Sequence, residues 1–349
     1  MAYDDNAVGS RLFKTTNEIS TVNRRAVIRT YLLGVLSVLL YIQPYAMNAY
    51  ASETNCRLVS SRGILKSCEI HSATPVSSSQ KLINYRWEDL RPSSTVYVCT
   101  SAFSQFNLAL EQIPCPIVLV SGDADEDAPK NIFASEGDFA NFIESPKILH
   151  WFAQNAVVKH PKFSQIPIGL DYHTMSQGVT AWGPQITPLE QEELLIKISR
   201  EALPLSQRLV KAHSNFHFLM STKYGADRLR AKELIPASLV DYEPLRVDRK
   251  TTWENQAKYA FVVSPHGNGL DCHRTWEALC LGCIPIVRTS PIDGLFEGLP
   301  VYIVHDWNEV TEDNLKKVLA DFSQRTFDLN RLTLSYWMNK INAKKALVV

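Results

Sequence analysis

The stretch YAFVVSPHGNGLDCHRTWEALCLGCIPIV, residues 259–287, decides the fold. A short apolar strand, Tyr259 to Val263, runs into a Gly-x-Gly turn at Gly267 and Gly269. A helix then opens with Asp271, carries Arg274 and Glu277, and closes at Gly282 before a second apolar strand from Ile284 to Val287. This is a β-turn-α-β unit whose turn suits an anion: glycines let backbone N–H groups come close, and the first helical turn adds unpaired donors and a positive dipole end. Asp271, Arg274 and Glu277 recur every three residues and so keep to one broad side of the helix. Arg274 can meet a diphosphate and Glu277 a sugar diol. The blander alternatives are a tight turn without a ligand and a surface ladder of ion pairs three residues apart.

Working outward, the chain alternates strands and helices on both sides of this unit. Before it lie the β-branched runs Thr95 to Cys99 and Pro116 to Val120, then Ile148 to Phe152, with helical segments at 102–112 and 138–143. Residues 166–171 read as a fourth extended piece. Thr187-Pro188 starts a clear helix, because Thr caps and Pro suits the first helical position, and Pro204 ends it. Asn215 to Met220 reads as a fresh strand and 226–234 as a helix. After the central unit come a strand at 301–304, a helix at 312–322 capped by Thr311, and a last helix at 331–346. The alternation predicts an α/β protein with two Rossmann-like domains facing a cleft. The expected divisions are a leader at 1–30, an apolar segment at 31–51, a Ser/Thr-rich stem at 52–81, a first domain at 82–205 and a second at 206–349.

Lys plus Arg and Asp plus Glu both total 36, so the formal net charge is zero and the chain lacks the basic excess of a nucleic-acid binder. Near the N-terminus Arg24, Arg25 and Arg29 precede a charge-free apolar run from Tyr31 to Ile42, and Ala49-Tyr50-Ala51 follows. This predicts either a type II signal anchor, with the arginines left in the cytosol, or a cleaved signal peptide. Both deliver the rest of the chain to a lumen, such as that of the Golgi, or to the exterior. In such a compartment Cys56 with Cys68, or Cys99 with Cys115, could pair.

Residues 265–286, PHGNGLDCHRTWEALCLGCIPI, resemble the donor-binding segment of exostosin-like glycosyltransferases, a family with the GT-B fold. The likeness is dense over these residues and extends from Trp253 to Val310, including Thr289-Ser-Pro291 and Leu299-Pro300. The resemblance implies an inverting transferase that takes a nucleotide sugar, usually a UDP-sugar, without an essential metal, and moves the sugar to a glycan acceptor. It places Arg274 on the donor diphosphate, Glu277 on the ribose hydroxyls, and Gly267, Asn268 and Gly269 against the phosphates, with His266 and Asp271 beside them. Glu277 stands eight residues beyond Gly269, whereas a dinucleotide fold puts its ribose-binding acid about 20 residues on. The alternatives are a nucleotide-sugar hydrolase or epimerase, which would use the same donor site, and a non-catalytic partner subunit of a transferase, which would bind UDP weakly or not at all. Nothing in the sequence fixes homo- or hetero-oligomerisation.

The general base has to come from the face opposite the donor, and carboxylates or imidazoles at strand ends suit it. Asp123, Asp171 and His173 are the candidates. Ser121-Gly-Asp123-Ala-Asp125 also offers a D-x-D that could hold a hard cation, with Glu126 and Asp127 extending the acidic run. Cys280 and Cys283 form C-x-x-C, which reads as small core residues rather than a metal site. Arg246, Arg249 and Lys250 read as a solvated basic loop, with a supplementary charge for the phosphates as the alternative.

Overall fold

A computed structural model describes residues 52–73, 75–216, 221–243 and 245–345. All of these belong to one compact unit, Ala51–Val349. The expected leader and apolar segment lie outside the described residues. No helix among the described residues is long and apolar enough to cross a membrane.

Two all-parallel sheets organise the unit. The first holds β1 (Thr95–Cys99), β2 (Ile117–Gly122), β3 (Ile148–Ala153) and β4 (Phe163–Gln165) in that order. The second holds β5 (Leu209–Ser214), β6 (Val240–Tyr242), β7 (Tyr259–Val263), β8 (Ile284–Arg288) and β9 (Tyr302–Val304), in the order β6-β5-β7-β8-β9. All residues of β1 and β2 are buried, as parallel strands covered on both faces require. The helices in chain order are α1 (Ser61–Ser67), α2 (Phe103–Ala109), α3 (Glu136–Ile143), α4 (His173–Ser176), α5 (Pro188–Glu201), α6 (Gly225–Leu234), α7 (Arg249–Gln256), α8 (His273–Cys280), α9 (Glu312–Gln324) and α10 (Leu334–Asn342). This is the two-sheet, Rossmann-like α/β layout of GT-B type. One apolar core joins Val118 and Phe152 of the first sheet to Val262 of the second, together with Trp276 of α8 and Ile64 of α1.

Local chemistry explains where the key helices begin and end. At α5, Thr187 Oγ1 accepts from Glu190 N (3.2 Å) and Glu190 Oε2 accepts from Thr187 N (2.8 Å), a reciprocal capping box ahead of Pro188. At the end of α8, Gly282 takes φ +73°. Its N–H donates to Leu279 O (3.0 Å), and Cys283 N–H donates to Ala278 O (2.9 Å). This paired 5→2 and 6→1 arrangement closes the helix with a left-handed residue that a Cβ would disfavour.

Several expectations are corrected. The strand expected at 215–220 is Leu209–Ser214, which buries only its last three residues and owes its place to pairing with β6 and β7 on either side; residues 217–220 lie outside the described set. Residues 166–171 leave the first sheet after β4 and reach Ser60 through bridges from Gly169 and Leu170. The supposed stem is folded over its first part. Ser60 Oγ accepts from Gly63 N at the start of α1, and Val59, Ile64 and Leu65 are buried. The chain end returns to cover it, with Val59 N donating to Leu332 O and Leu334 N to Arg57 O (both 2.9 Å). The apolar residues of this segment are too widely spaced among serines to announce a helix. All seven cysteines are free, so neither pairing is made: Cys68 Sγ donates to Ile64 O and Cys99 Sγ to Asp123 O. Cys283 is buried between Arg208 and Gln256.

Gly169 has φ +63°, and a Cβ there would lie 2.4 Å from Val59 O. Gly169→Ala is expected to destabilise the protein by more than the roughly 1–2 kcal/mol that a left-handed backbone alone costs a residue with a Cβ. Urea unfolding reads this directly, and an unchanged midpoint would show that Val59 and Gly169 separate at little cost.

Candidate functional site

In the second sheet the chain steps from β5 out to β6 and returns across it to β7, so the loops after β5 and β7 diverge. Ligands of open α/β sheets bind at such a switch point, beyond the carboxyl ends of the strands. A cavity of about 250 Å³ opens there. Phe216 after β5, the turn at 267–269 after β7, and His273, Arg274 and Glu277 of α8 form one side. Asp125, Ile168, Asp171 and Trp182 close it from the first half of the chain, with Arg249 of α7 beside them.

The turn is built for close approach on two fronts. A Cβ on Gly269 would lie 2.7 Å from Asn155 Nδ2, and one on Gly267 would lie 3.0 Å from Arg228 Nη2. Packing against Asn155 thus disfavours a side chain at Gly269, whereas at Gly267 the close atom is the movable end of Arg228. Gly267 N–H donates to Gly269 O (3.0 Å), which removes it from the expected phosphate donors. No acceptor among the described residues takes the N–H of Asn268 or Gly269, so these two remain for an anion. Asn268 links the halves through Nδ2, which donates to Asp125 Oδ2 (3.2 Å).

Arg274 is held by two bonds, Nε to Ser264 Oγ (3.2 Å) and Nη2 to Pro265 O (2.7 Å), with its guanidinium 5.6 Å from the Phe216 ring centroid. Its other donors have no carboxylate ion pair among the described residues. Glu277, one turn along α8, is buried and lies 3.9 Å from Arg249 Nε, too far for a hydrogen bond. Arg249 instead engages Asp171, donating from Nη2 to Oδ2 (2.8 Å) and from Nη1 to the Asp171 carbonyl. Arg249 is thus a buried residue of the cavity wall, which corrects its reading as part of a solvated basic loop; Arg246 and Lys250 are exposed. The signal that could have found it is its place at the first turn of α7, capped by Asp248.

Asp271 borders the cavity, but both of its carboxylate oxygens are taken by protein donors. Helix α8 starts two residues later, at His273, and the Asp271 carboxylate accepts from Ile168 N (2.7 Å) and from Trp276 Nε1 (2.9 Å). Its own N–H donates to Asn155 Oδ1 (2.9 Å). Burial pushes its carboxyl up to about 6 against the pull of these donors. His266 also turns away: Nδ1 donates to Leu270 O (2.8 Å), and its ring borders a separate cavity of about 900 Å³ between Asp127 and Pro291. Asp227, unnoticed in the sequence, fixes the turn by accepting from His266 N (3.0 Å) and Trp307 Nε1 (2.9 Å).

The three candidate bases fare differently. Burial works against ionisation of Asp171, but its positive neighbours, His273 and His173 when protonated and Arg249 permanently, hold its carboxyl well below the usual carboxylate range. A carboxylate so stabilised is a weak proton acceptor. His173 and Asp123 do not border the cavity. Burial pushes the His173 imidazole down to about 3; its Nε2 lies 3.2 Å from Ser77 Oγ and its Nδ1 lies 3.3 Å from Asp171 Oδ1. Asp123 is buried beside Arg62 (3.5 Å), and that burial raises its carboxyl. The acidic run does not converge on one point. Asp125 faces Asn268, Glu126 accepts from Ser101 Oγ (2.9 Å), and Asp127 accepts from Lys223 Nζ (2.6 Å) and Tyr224 OH (2.7 Å).

No protein-family model matches the chain. No curated protein matches it either. Among solved structures, an α1,3-fucosyltransferase is similar at 12% identity with TM-score 0.36, covering 78% of this chain and 95% of that one. The UDP-forming α,α-trehalose-phosphate synthase from Burkholderia vietnamiensis is similar at 10% identity with TM-score 0.38, covering 74% of each chain. The α,α-trehalose 6-phosphate synthase from Burkholderia multivorans is similar at 13% identity with TM-score 0.34, covering 74% of this chain and 72% of that one. Likenesses this distant do not decide an activity, which has to be argued from the cavity itself.

Arg249→Met would leave Asp171 as a buried charge without its partner, at a cost of about 3–5 kcal/mol near neutral pH. The Asp171 carboxyl is held below its unfolded value, so the stabilisation is full above about 3.9 and is lost as pH falls through the folded value. The stability gap between wild type and variant should therefore narrow as pH drops below about 4. A gap constant from pH 7 to pH 3 in denaturant titrations would rule out this pairing.

Proposed function

We propose that the chain is a glycosyltransferase of GT-B type that takes its donor, a UDP-sugar, at the switch point of the second sheet. It transfers the sugar to a hydroxyl of a glycan or glycoconjugate. The observation that carries this reading is the pairing, inside one cavity, of Arg274, a cation without an ion pair among the described residues, and Glu277, a buried acid one turn further on. Arg274 would meet the diphosphate together with the N–H groups of Asn268 and Gly269. Glu277 would accept from the ribose hydroxyls, and Trp182 with Phe216 would supply apolar surface for the base.

In the reaction the acceptor oxygen attacks the anomeric carbon while the bond from that carbon to the β-phosphate oxygen breaks. UDP leaves with the electron pair, and the configuration inverts. The proposal assigns the charge that develops on the departing diphosphate to Arg274 and backbone donors, which are fixed beforehand and need little reorganisation. Asp271 is reassigned from ligand contact to holding α8 against the first half. Membrane tethering with a lumenal catalytic region rests on residues 24–51 of the sequence.

Glu277→Ala should weaken UDP binding by about 1.5–3 kcal/mol, roughly 10- to 150-fold, through loss of a hydrogen bond to a charged group. Calorimetric titration of the folded variant with UDP measures this. Unchanged affinity would remove the ribose assignment, and no UDP binding by the wild type would remove the transferase reading.

A further inference from the structure

The first residue of α8 has no part in donor binding as assigned above, yet it borders the same cavity. His273 Nδ1 lies 2.7 Å from Gly169 O. A carbonyl oxygen only accepts, so Nδ1 carries a proton in either state, and whenever the ring is neutral the lone pair is on Nε2. No described residue hydrogen-bonds that nitrogen. The anchor is rigid, because the same Gly169 is pressed against Val59 in a left-handed conformation and cannot shift without moving the first half of the chain.

The surroundings suit a group that gains a proton during the reaction. Asp171 and Asp123 both lie within electrostatic reach of the His273 ring. Asp171 stays ionised through Arg249, so an imidazolium formed at position 273 would find a permanent carboxylate nearby. His173 stands behind it with ring centroids 6.1 Å apart. Asp171 is committed to Arg249, Asp125 accepts from Asn268, and Asp123 and His173 do not border the cavity; His273 is the imidazole that does, and it stands on the helix of Arg274 and Glu277 rather than on the opposite face where a base was expected.

We propose that His273 is the general base of the transfer and takes the proton of a saccharide hydroxyl at Nε2. This inference rests on the transferase reading. As the acceptor O–H bond breaks, its proton passes to Nε2 and the oxygen bonds to the anomeric carbon. The bond from that carbon to the β-phosphate breaks, and its electron pair leaves with UDP. Nothing else is consumed.

The test is His273→Asn in the full chain. The Asn amide can still donate to Gly169 O, while Nε2 is gone. UDP affinity is measured by calorimetry. Transfer is measured as UDP released from UDP-glucose, UDP-galactose, UDP-N-acetylglucosamine, UDP-glucuronic acid and UDP-xylose, with methyl glycosides as acceptors. The expected result is UDP affinity within about threefold of wild type and transfer reduced about 10²- to 10⁴-fold, the usual contribution of a positioned base. A loss below about 100-fold overturns the proposal. So does a parallel loss of UDP affinity, because His273 would then be a phosphate contact. If the Asn variant does not fold, the same two readouts on His273→Gln decide. A wild-type protein that binds UDP but releases none from any of these donors overturns the transferase reading, and the base falls with it. A wild type that transfers while the variant matches it overturns the base alone.

Discussion

A buried carboxylate holds the two halves of the site together. Asp271 precedes α8 in the second half, yet one of its oxygens takes the backbone N–H of Ile168 from the first half, and the other takes the indole N–H of Trp276. Burying a carboxylate is costly unless its oxygens are filled by donors, and these two are. Its backbone N–H adds a bond to Asn155. Within a few residues Gly269 meets Asn155 and Asn268 meets Asp125. The cavity exists in its present shape because these contacts set how closely the turn approaches the first sheet.

The same contacts arrange the charges. Arg249 and Asp171 neutralise each other on one wall, which frees Glu277 from a close ion pair and leaves Arg274 with only neutral acceptors, Ser264 and Pro265. Arg274 is thereby fixed in position, and its charge is not spent on a carboxylate among the described residues. Had Arg249 paired closely with Glu277, the acid would be poorly placed to accept from a ligand hydroxyl. The length of Arg249 and the reach of the loop ending at Asp171 decide that partition.

What the sequence discloses about this structure is what local rules govern. The β-turn-α-β unit, the Thr187 cap with Pro188, and the Gly282 stop all depend on residues within a few positions of each other, and each stands where it was expected. Strand β5 stands away from the expected position because its apolar character is weak and its place comes from neighbours 28 and 49 residues away, Val240 and Phe261 opposite Ala212. α1 was taken as stem because its burial depends on the far end of the chain, where Leu334 meets Arg57. At the site, Arg274 and Glu277 were legible from spacing. The partnership of Arg249 with Asp171 spans 78 residues, and no pattern in one sequence links them.

The turn shows why motif residues can be found correctly and explained incompletely. Close approach of a phosphate asks for glycine at 267 and 269, but packing already acts at Gly269, where a Cβ would lie 2.7 Å from Asn155 Nδ2, while at Gly267 it would lie 3.0 Å from the movable end of Arg228. Close packing of the turn and exposure of its remaining N–H groups have a common origin. A backbone pressed this tightly against its neighbours closes on itself at Gly267, whose N–H goes to Gly269 O, and leaves the intervening N–H of Asn268 and that of Gly269 without an acceptor. The joining of the halves therefore leaves two backbone N–H groups at the edge of the cavity that Arg274 also borders.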